Sequence, residues 1–256
     1  MSPSTPPPGA LHRLVSYFRS GNAIRSRSVS HVILAGAVDV PAPTARLVAD
    51  WQRETLLLPG FEPGDVDVLS LVRARARWPE YRRCVQTVSD WAQGHGLPDV
   101  MASANVALMT CRGARYHHDA AQYGGVVFCN LFMSDDKGLD LHFPATGLRI
   151  PVVRGTVVIF DTGQPHGLVA RNKGSFDVAD FPVTRDCTQV FLTWELPVEE
   201  PEVASLLGID FDIGSELSPP RDEGQLWRNG VRVSVCPESG LWCGADPDLF
   251  AIDRPR

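Results

Sequence analysis

The chain has 256 residues, 44% hydrophobic and 21% charged, a composition that supports a substantial core and excludes a largely disordered chain. Its formal net charge is −6, lysine occurs only at Lys137 and Lys173, and no dense Lys/Arg cluster is present, which argues against nucleic acid as a partner. No apolar run is long enough to span a bilayer, and the six cysteines are scattered without a CxxC pair. The expectation is therefore a cytoplasmic protein with reduced thiols and no membrane partner, while its oligomeric state is open.

Residues 1–9 are rich in Pro and Ser and are expected to form a flexible tail. Leu11, Leu14, Val15 and Phe18 recur at three- and four-residue spacing, which predicts a short amphipathic helix ended by Gly21. Val29 to Val38 reads as a strand, broken by Pro41 and Pro43. Thr44 is the expected N-cap of a helix carrying Leu47, Val48, Trp51 and Leu58 and stopped at Pro59-Gly60. A short strand at Val66 to Leu71 and a helix opened by Pro79, with Tyr81, Val85, Val88 and Ala92 at helical spacing, complete the first hundred residues.

The pattern then changes. Asn105 to Cys111, Gly124 to Met133, Leu139 to Phe143, Leu148 to Val153, Thr156 to Phe160, His166 to Ala170 and Thr188 to Leu196 are short apolar runs separated by turn residues such as Thr146-Gly147 and Asp161-Thr162-Gly163. Runs at this spacing, without helical periodicity between them, predict an antiparallel sandwich or barrel. The 172–186 connection is longer than a turn requires and reads as a lid or binding loop. A short helix over Glu199 to Leu207 follows, and Gln225 to Val235 with Gly240 to Cys243 read as a terminal β-hairpin or a pair of edge strands.

The chemistry concentrates in Tyr116-His117-His118-Asp119-Ala120 and in His166, which follows His117 by 49 positions. If the first segment is extended, His117 and Asp119 project from one face and His118 from the other. Strands between them can return His166 to the same place. Two imidazoles and one carboxylate leave open positions on a metal and suit non-haem Fe(II). His142 alternates with Leu141 and Phe143 and is expected to stay outside such a site.

His117-x-Asp119, the run Arg154-Gly-Thr-Val-Val-Ile-Phe160 and then His166 together resemble the Fe(II)/2-oxoglutarate-dependent dioxygenase superfamily over residues 105–196. The resemblance implies a mainly β protein with flanking helices, built on a double-stranded β-helix (jelly-roll, cupin-like). It implies a single oxygenase domain over 10–256, with a helical part at 10–100, the β-helix at 101–196 and a C-terminal extension at 197–256. It also implies His117, Asp119 and His166 as ligands of Fe(II), and 2-oxoglutarate and molecular oxygen as cosubstrates. The reaction implied is hydroxylation or a related C–H oxidation of a small molecule such as an amino acid or natural-product intermediate. The alternatives are a protein or peptide substrate, or a non-catalytic cupin-like binding module.

In that superfamily a basic residue beyond the distal His holds the far carboxylate of 2-oxoglutarate, a task suited to arginine's planar fork. Arg185, just before the strand Thr188 to Leu196, is the favoured anchor here. Arg171 is second, since its odd spacing from His166 turns it away from the metal, and Arg115 is third.

Overall fold

The structure, a computed structural model, describes residues 14–97, 100–213 and 223–244. The tail expected at 1–9 lies outside them. In chain order the first elements are β1 (Leu14–Ser20), β2 (Ala23–Ser28), β3 (Ile33–Ala37), α1 (Ala45–Leu56), β4 (Val66–Leu69), α2 (Leu71–Arg75), α3 (Tyr81–Gly94) and α4 (Val100–Ser103). The barrel region holds β5 (Asn105–Cys111), β6 (Ala114–His117), α5 (Ala120–Tyr123), β7 (Val126–Phe132), β8 (Leu139–Phe143), β9 (Leu148–Pro151), β10 (Thr156–Asp161), β11 (His166–Ala170) and β12 (Gln189–Pro197). Then come α6 (Pro201–Leu207), β13 (Leu226–Arg228), β14 (Val231–Val235) and β15 (Trp242–Gly244).

The helix expected at Leu11 to Phe18 is instead strand β1, which turns at Gly21 (φ 57°) into β2. Its apolar residues fit either period, and pairing decides. β1 hydrogen-bonds to β2 on one side and to the distant β13 on the other, in a five-stranded sheet of order β15-β14-β13-β1-β2. Leu14, Ser16 and Phe18 are buried on one face, as period two requires. The helix expected from Thr44 is α1, whose N-cap hydroxyl accepts from the Leu47 N–H. α3 begins two residues after Pro79, with Glu80 at its N-cap. α6 has Pro201 at its start and Gly208 (φ 63°) closing it in the left-handed conformation.

Strands β5 to β12 divide between two facing sheets. One has the order β3-β10-β7-β12-β5-β4, the other β6-β11-β8-β9. The eight strands alternate between the sheets as the chain winds, except that β8 and β9 form a hairpin within the smaller sheet, which is the strand order of a double-stranded β-helix. The larger sheet sorts its side chains by parity. Leu108 of β5, Val127, Cys129 and Leu131 of β7, and Leu192, Trp194 and Leu196 of β12 face outward into a core shared with Leu47, Trp51, Cys84 and Val88 of the helices. That is why the sequence reads as continuous apolar runs here: both faces of these strands are covered. The other parity faces into the barrel, where Phe132, Phe143, Phe160, Leu168 and Phe191 form a second core with the smaller sheet.

The long 172–186 connection does not form a lid over the open end of the barrel. Phe176 and Phe181 stack at 5.2 Å and are buried, and the Phe181 ring lies where any Cβ on Gly113 would stand, 2.3 Å from it. Burial of those two rings holds the connection against the β5–β6 turn at Gly113.

Candidate metal centre

β6 and β11 are antiparallel neighbours, and their register places His166 directly opposite His117. The two imidazole centroids are 4.5 Å apart. Asp119 reaches the same point by a different route from the one its spacing suggests. β6 ends at His117, and Asp119 (φ −102°, ψ 6°) has left the strand to precede α5. Its backbone N–H donates to the Thr162 carbonyl at 2.8 Å, which pins the turn after β6 to the turn between β10 and β11. Asp161-Thr162-Gly163, which reads in the sequence as a simple turn, is thus part of the frame of the site.

The frame is tied to the N-terminal hairpin by a fully buried ion pair. Arg27 donates to both oxygens of Asp161, at 2.6 and 2.9 Å, and to the Gly124 carbonyl at 2.7 Å. The Asp161 carboxylate also accepts from the Ser30 and Gly163 N–H groups, each at 2.8 Å.

The ligand atoms of His117, Asp119 and His166 all lie within 4.8 Å of one another. His117 Nδ1–H donates to the Arg115 carbonyl at 2.6 Å, and His166 Nδ1–H to the Gln164 carbonyl at 2.9 Å. Each bond fixes its ring so that, in the neutral form, Nε2 presents a lone pair. Those atoms stand 3.6 Å and 3.3 Å from the two oxygens of Asp119. Three Lewis bases converging at this separation, with backbone carbonyls orienting the imidazoles, fit a divalent transition metal on one side and leave the other open. Burial, and then the neighbouring His166, hold the His117 pKa below its ordinary value, which favours the neutral imidazole that a metal needs. Burial opposes ionisation of Asp119, but the flanking histidines outweigh it and bring the carboxyl below its usual range.

His118 does not belong to the group. It projects the other way, 6.4 Å from the Trp242 ring, and burial pushes its pKa down to about 4. His142 likewise stays apart, on the opposite face of the smaller sheet. Its Nδ1 and the Tyr116 hydroxyl are hydrogen-bonded at 2.5 Å, and burial followed by the Arg149 charge lowers its pKa to about 4. The folded protein therefore holds His142 neutral where the unfolded chain, with a pKa near 6.5, already binds a proton. This contribution to stability is full above pH 6.5 and is lost as pH falls towards about 4. Urea denaturation across that window should show the loss, and His142→Gln should make it shallower.

The triad opens into a cavity of about 270 Å³ between the sheets. Its wall on the larger sheet is set by the inward parity: Glu195 beside Phe128, Thr193 opposite Asn130, then Phe191 opposite Phe132. Gln122 and Tyr123 of α5 stand at the triad end, and Val66 and Val68 of β4 close one edge. Asn130 Oδ1 and Thr193 Oγ1 are buried without a protein hydrogen-bond partner. An unmet buried polar atom costs about 1–3 kcal/mol, so both are poised for a ligand or water. Asn130 and Thr193 were not singled out in the sequence. The available signal was a polar residue at inward parity within an apolar strand, Asn130 in β7 and Thr193 in β12.

The structure places the expected cosubstrate anchors elsewhere. Arg185 is exposed, outside the barrel, with Nε donating to Cys187 Sγ at 3.1 Å, because the residues before β12 run over the surface. Arg171 forks onto Asp136 at 2.9 and 3.0 Å and donates to Asp140 at 3.0 Å. Arg115 pairs with Asp65 at 3.0 Å. Among the described residues, no Lys or Arg lines the cavity. The donor set thus fits the metal but offers no cation for the far carboxylate of 2-oxoglutarate.

No family model and no curated protein matches the chain. Among solved structures it is similar to a prolyl-4-hydroxylase from Pseudomonas putida, at 14% identity over 64% of this chain and 92% of that one (TM-score 0.37). It is also similar to AviO1 from Streptomyces viridochromogenes Tue57, at 16% identity over 67% and 91% of the two chains (TM-score 0.34). A third is the non-haem α-ketoglutarate-dependent epimerase SnoN from nogalamycin biosynthesis, at 16% identity over 75% and 86% (TM-score 0.35). At these scores the likeness carries no argument of its own; the strand order is that of a double-stranded β-helix, and that fold brings His117, Asp119 and His166 together.

Proposed function

We propose that the protein is a non-haem Fe(II) oxygenase that oxidises a C–H bond of a small-molecule substrate. The observation that supports this most directly is the convergence of His117 Nε2, His166 Nε2 and the Asp119 carboxylate at the mouth of a cavity large enough for a small organic molecule. Fe(II) would be held by those three groups and would supply, with dioxygen and an electron-donating cosubstrate, the oxidising chemistry. The protein's own part is positional. The Arg115 and Gln164 carbonyls hold the imidazoles in the ligating tautomer. Phe160 packs against His166 at 4.7 Å and limits water on the barrel side of the ring. Asn130 and Thr193 supply unmet polar atoms that can orient a bound molecule, and Glu195, which accepts from Asn105 at 3.2 Å, places a carboxylate on the wall.

Hydroxylation is the outcome expected from the resemblance, with 2-oxoglutarate as the expected cosubstrate. A cytoplasmic location is kept as part of this reading. The described residues contain no helix long and apolar enough to cross a membrane. The reading is tested by anaerobic titration of the purified protein with Fe(II), followed by a 2-oxo acid. Stoichiometric iron binding and a visible metal-to-ligand charge-transfer band are expected. A folded protein that binds no iron would overturn the reading.

A further inference from the structure

The cavity has two directions in which a molecule chelated at the triad can extend, and among the described residues neither offers a cation. Going inward from His166 on β11, the next residue of the same parity is Leu168, about 7 Å along the strand at about 3.3 Å per residue. Leu141 of the neighbouring β8 lies opposite it in register. Facing them across the barrel are Phe132 and Phe191, whose rings are 5.2 Å apart, with Met109 beside Phe191. All five residues line the cavity. In the other direction stands the carboxylate of Glu195. A second carboxylate on the chelated molecule would therefore lie against phenylalanine and leucine, with only the neutral Asn130 and Thr193 side chains near it, or beside the like charge of Glu195. Both are unfavourable without a paired cation.

An apolar tail meets the reverse situation. It buries against the Phe132, Phe191, Leu141 and Leu168 surface, and its acid needs only the metal end of the site. We propose that the cosubstrate pocket of this barrel takes a monoanionic 2-oxo acid with an apolar side chain in preference to the dianion 2-oxoglutarate. This inference rests on the oxygenase reading, because it assumes that the triad holds a metal to which a 2-oxo acid chelates.

The test uses the full chain loaded anaerobically with Fe(II). Titration with 4-methyl-2-oxopentanoate, phenylpyruvate and 2-oxoglutarate, read by the visible charge-transfer band and by calorimetry, gives a dissociation constant for each. At least one apolar 2-oxo acid should bind tenfold or more tightly than 2-oxoglutarate. Iron binding with 2-oxoglutarate bound equally well or better, or with no 2-oxo acid bound, overturns the inference and leaves the metal centre standing. Failure to bind iron overturns both. Phe191→Ala provides a second measurement. Its metal content should match the parent, its affinity for the apolar acid should fall about tenfold, and its affinity for 2-oxoglutarate should stay within twofold. A selective loss of 2-oxoglutarate affinity instead would also overturn the inference.

Discussion

His166→Ala is expected to abolish iron retention. His166 is buried, its Nδ1–H is committed to the Gln164 carbonyl, and its Nε2 is 3.3 Å from Asp119, so the variant removes one of three ligand atoms that no neighbour can replace. Loss of a group that merely orients a ligand weakens metal binding by about 10–100-fold, and loss of the ligand itself should exceed that range. The matched control is His118→Ala. That ring lies outside the group, so its removal should change iron affinity by only a few-fold. Metal analysis after desalting, with circular dichroism to verify folding, distinguishes the two. Ordinary iron retention by His166→Ala would remove this residue from the site.

Arg27→Ala should be strongly destabilising. The guanidinium and Asp161 are both fully buried, and the variant leaves a carboxylate with only two backbone N–H donors in a solvent-free position. Breaking a buried pair from one side costs about 3–5 kcal/mol, mostly because the surviving charge is unpaired. Replacing both residues, as in Arg27→Met with Asp161→Leu, should cost less than Arg27→Ala alone. Equilibrium urea unfolding measures this, and a loss below about 1 kcal/mol for Arg27→Ala would contradict the assignment. Because the Asp161-Thr162-Gly163 turn also receives the Asp119 N–H, the variant should loosen metal binding together with the fold.

The barrel and the triad were legible for a common reason. β5, β7, β10 and β12 are short apolar runs between turn residues, and that local pattern survives folding unchanged. His117 and Asp119 do converge as their spacing suggests, although Asp119 reaches its place through a turn and not along an extended strand. His166 was legible because its run begins directly after the Gly163 turn, and strand register then sets it against His117.

The N-terminal segment was not legible. Leu14, Val15 and Phe18 satisfy a helical spacing as well as a strand, and one of the two strands that pair with β1, β13, lies more than two hundred residues away. The position of Arg185 was not legible for a related reason. Parity along a strand says which face a residue takes, but Arg185 sits before β12 begins, where no parity applies, and surface partners claim it.

What the sequence by itself determined is the set of elements whose cause is local: the capped helix α1, the strand-and-turn rhythm from Asn105 to Leu196, and the residue types able to hold a metal. Only the tertiary structure decided which of them meet. Register set His166 against His117, the Arg27–Asp161 pair fixed the turn that holds Asp119, and inward parity lined the cavity with Phe132, Phe191, Leu141 and Leu168 but no described cation. The physical reason is that the pairing of strands and the burial of charge depend on partners far away in the chain, whereas turns, caps and periodicity depend on neighbours.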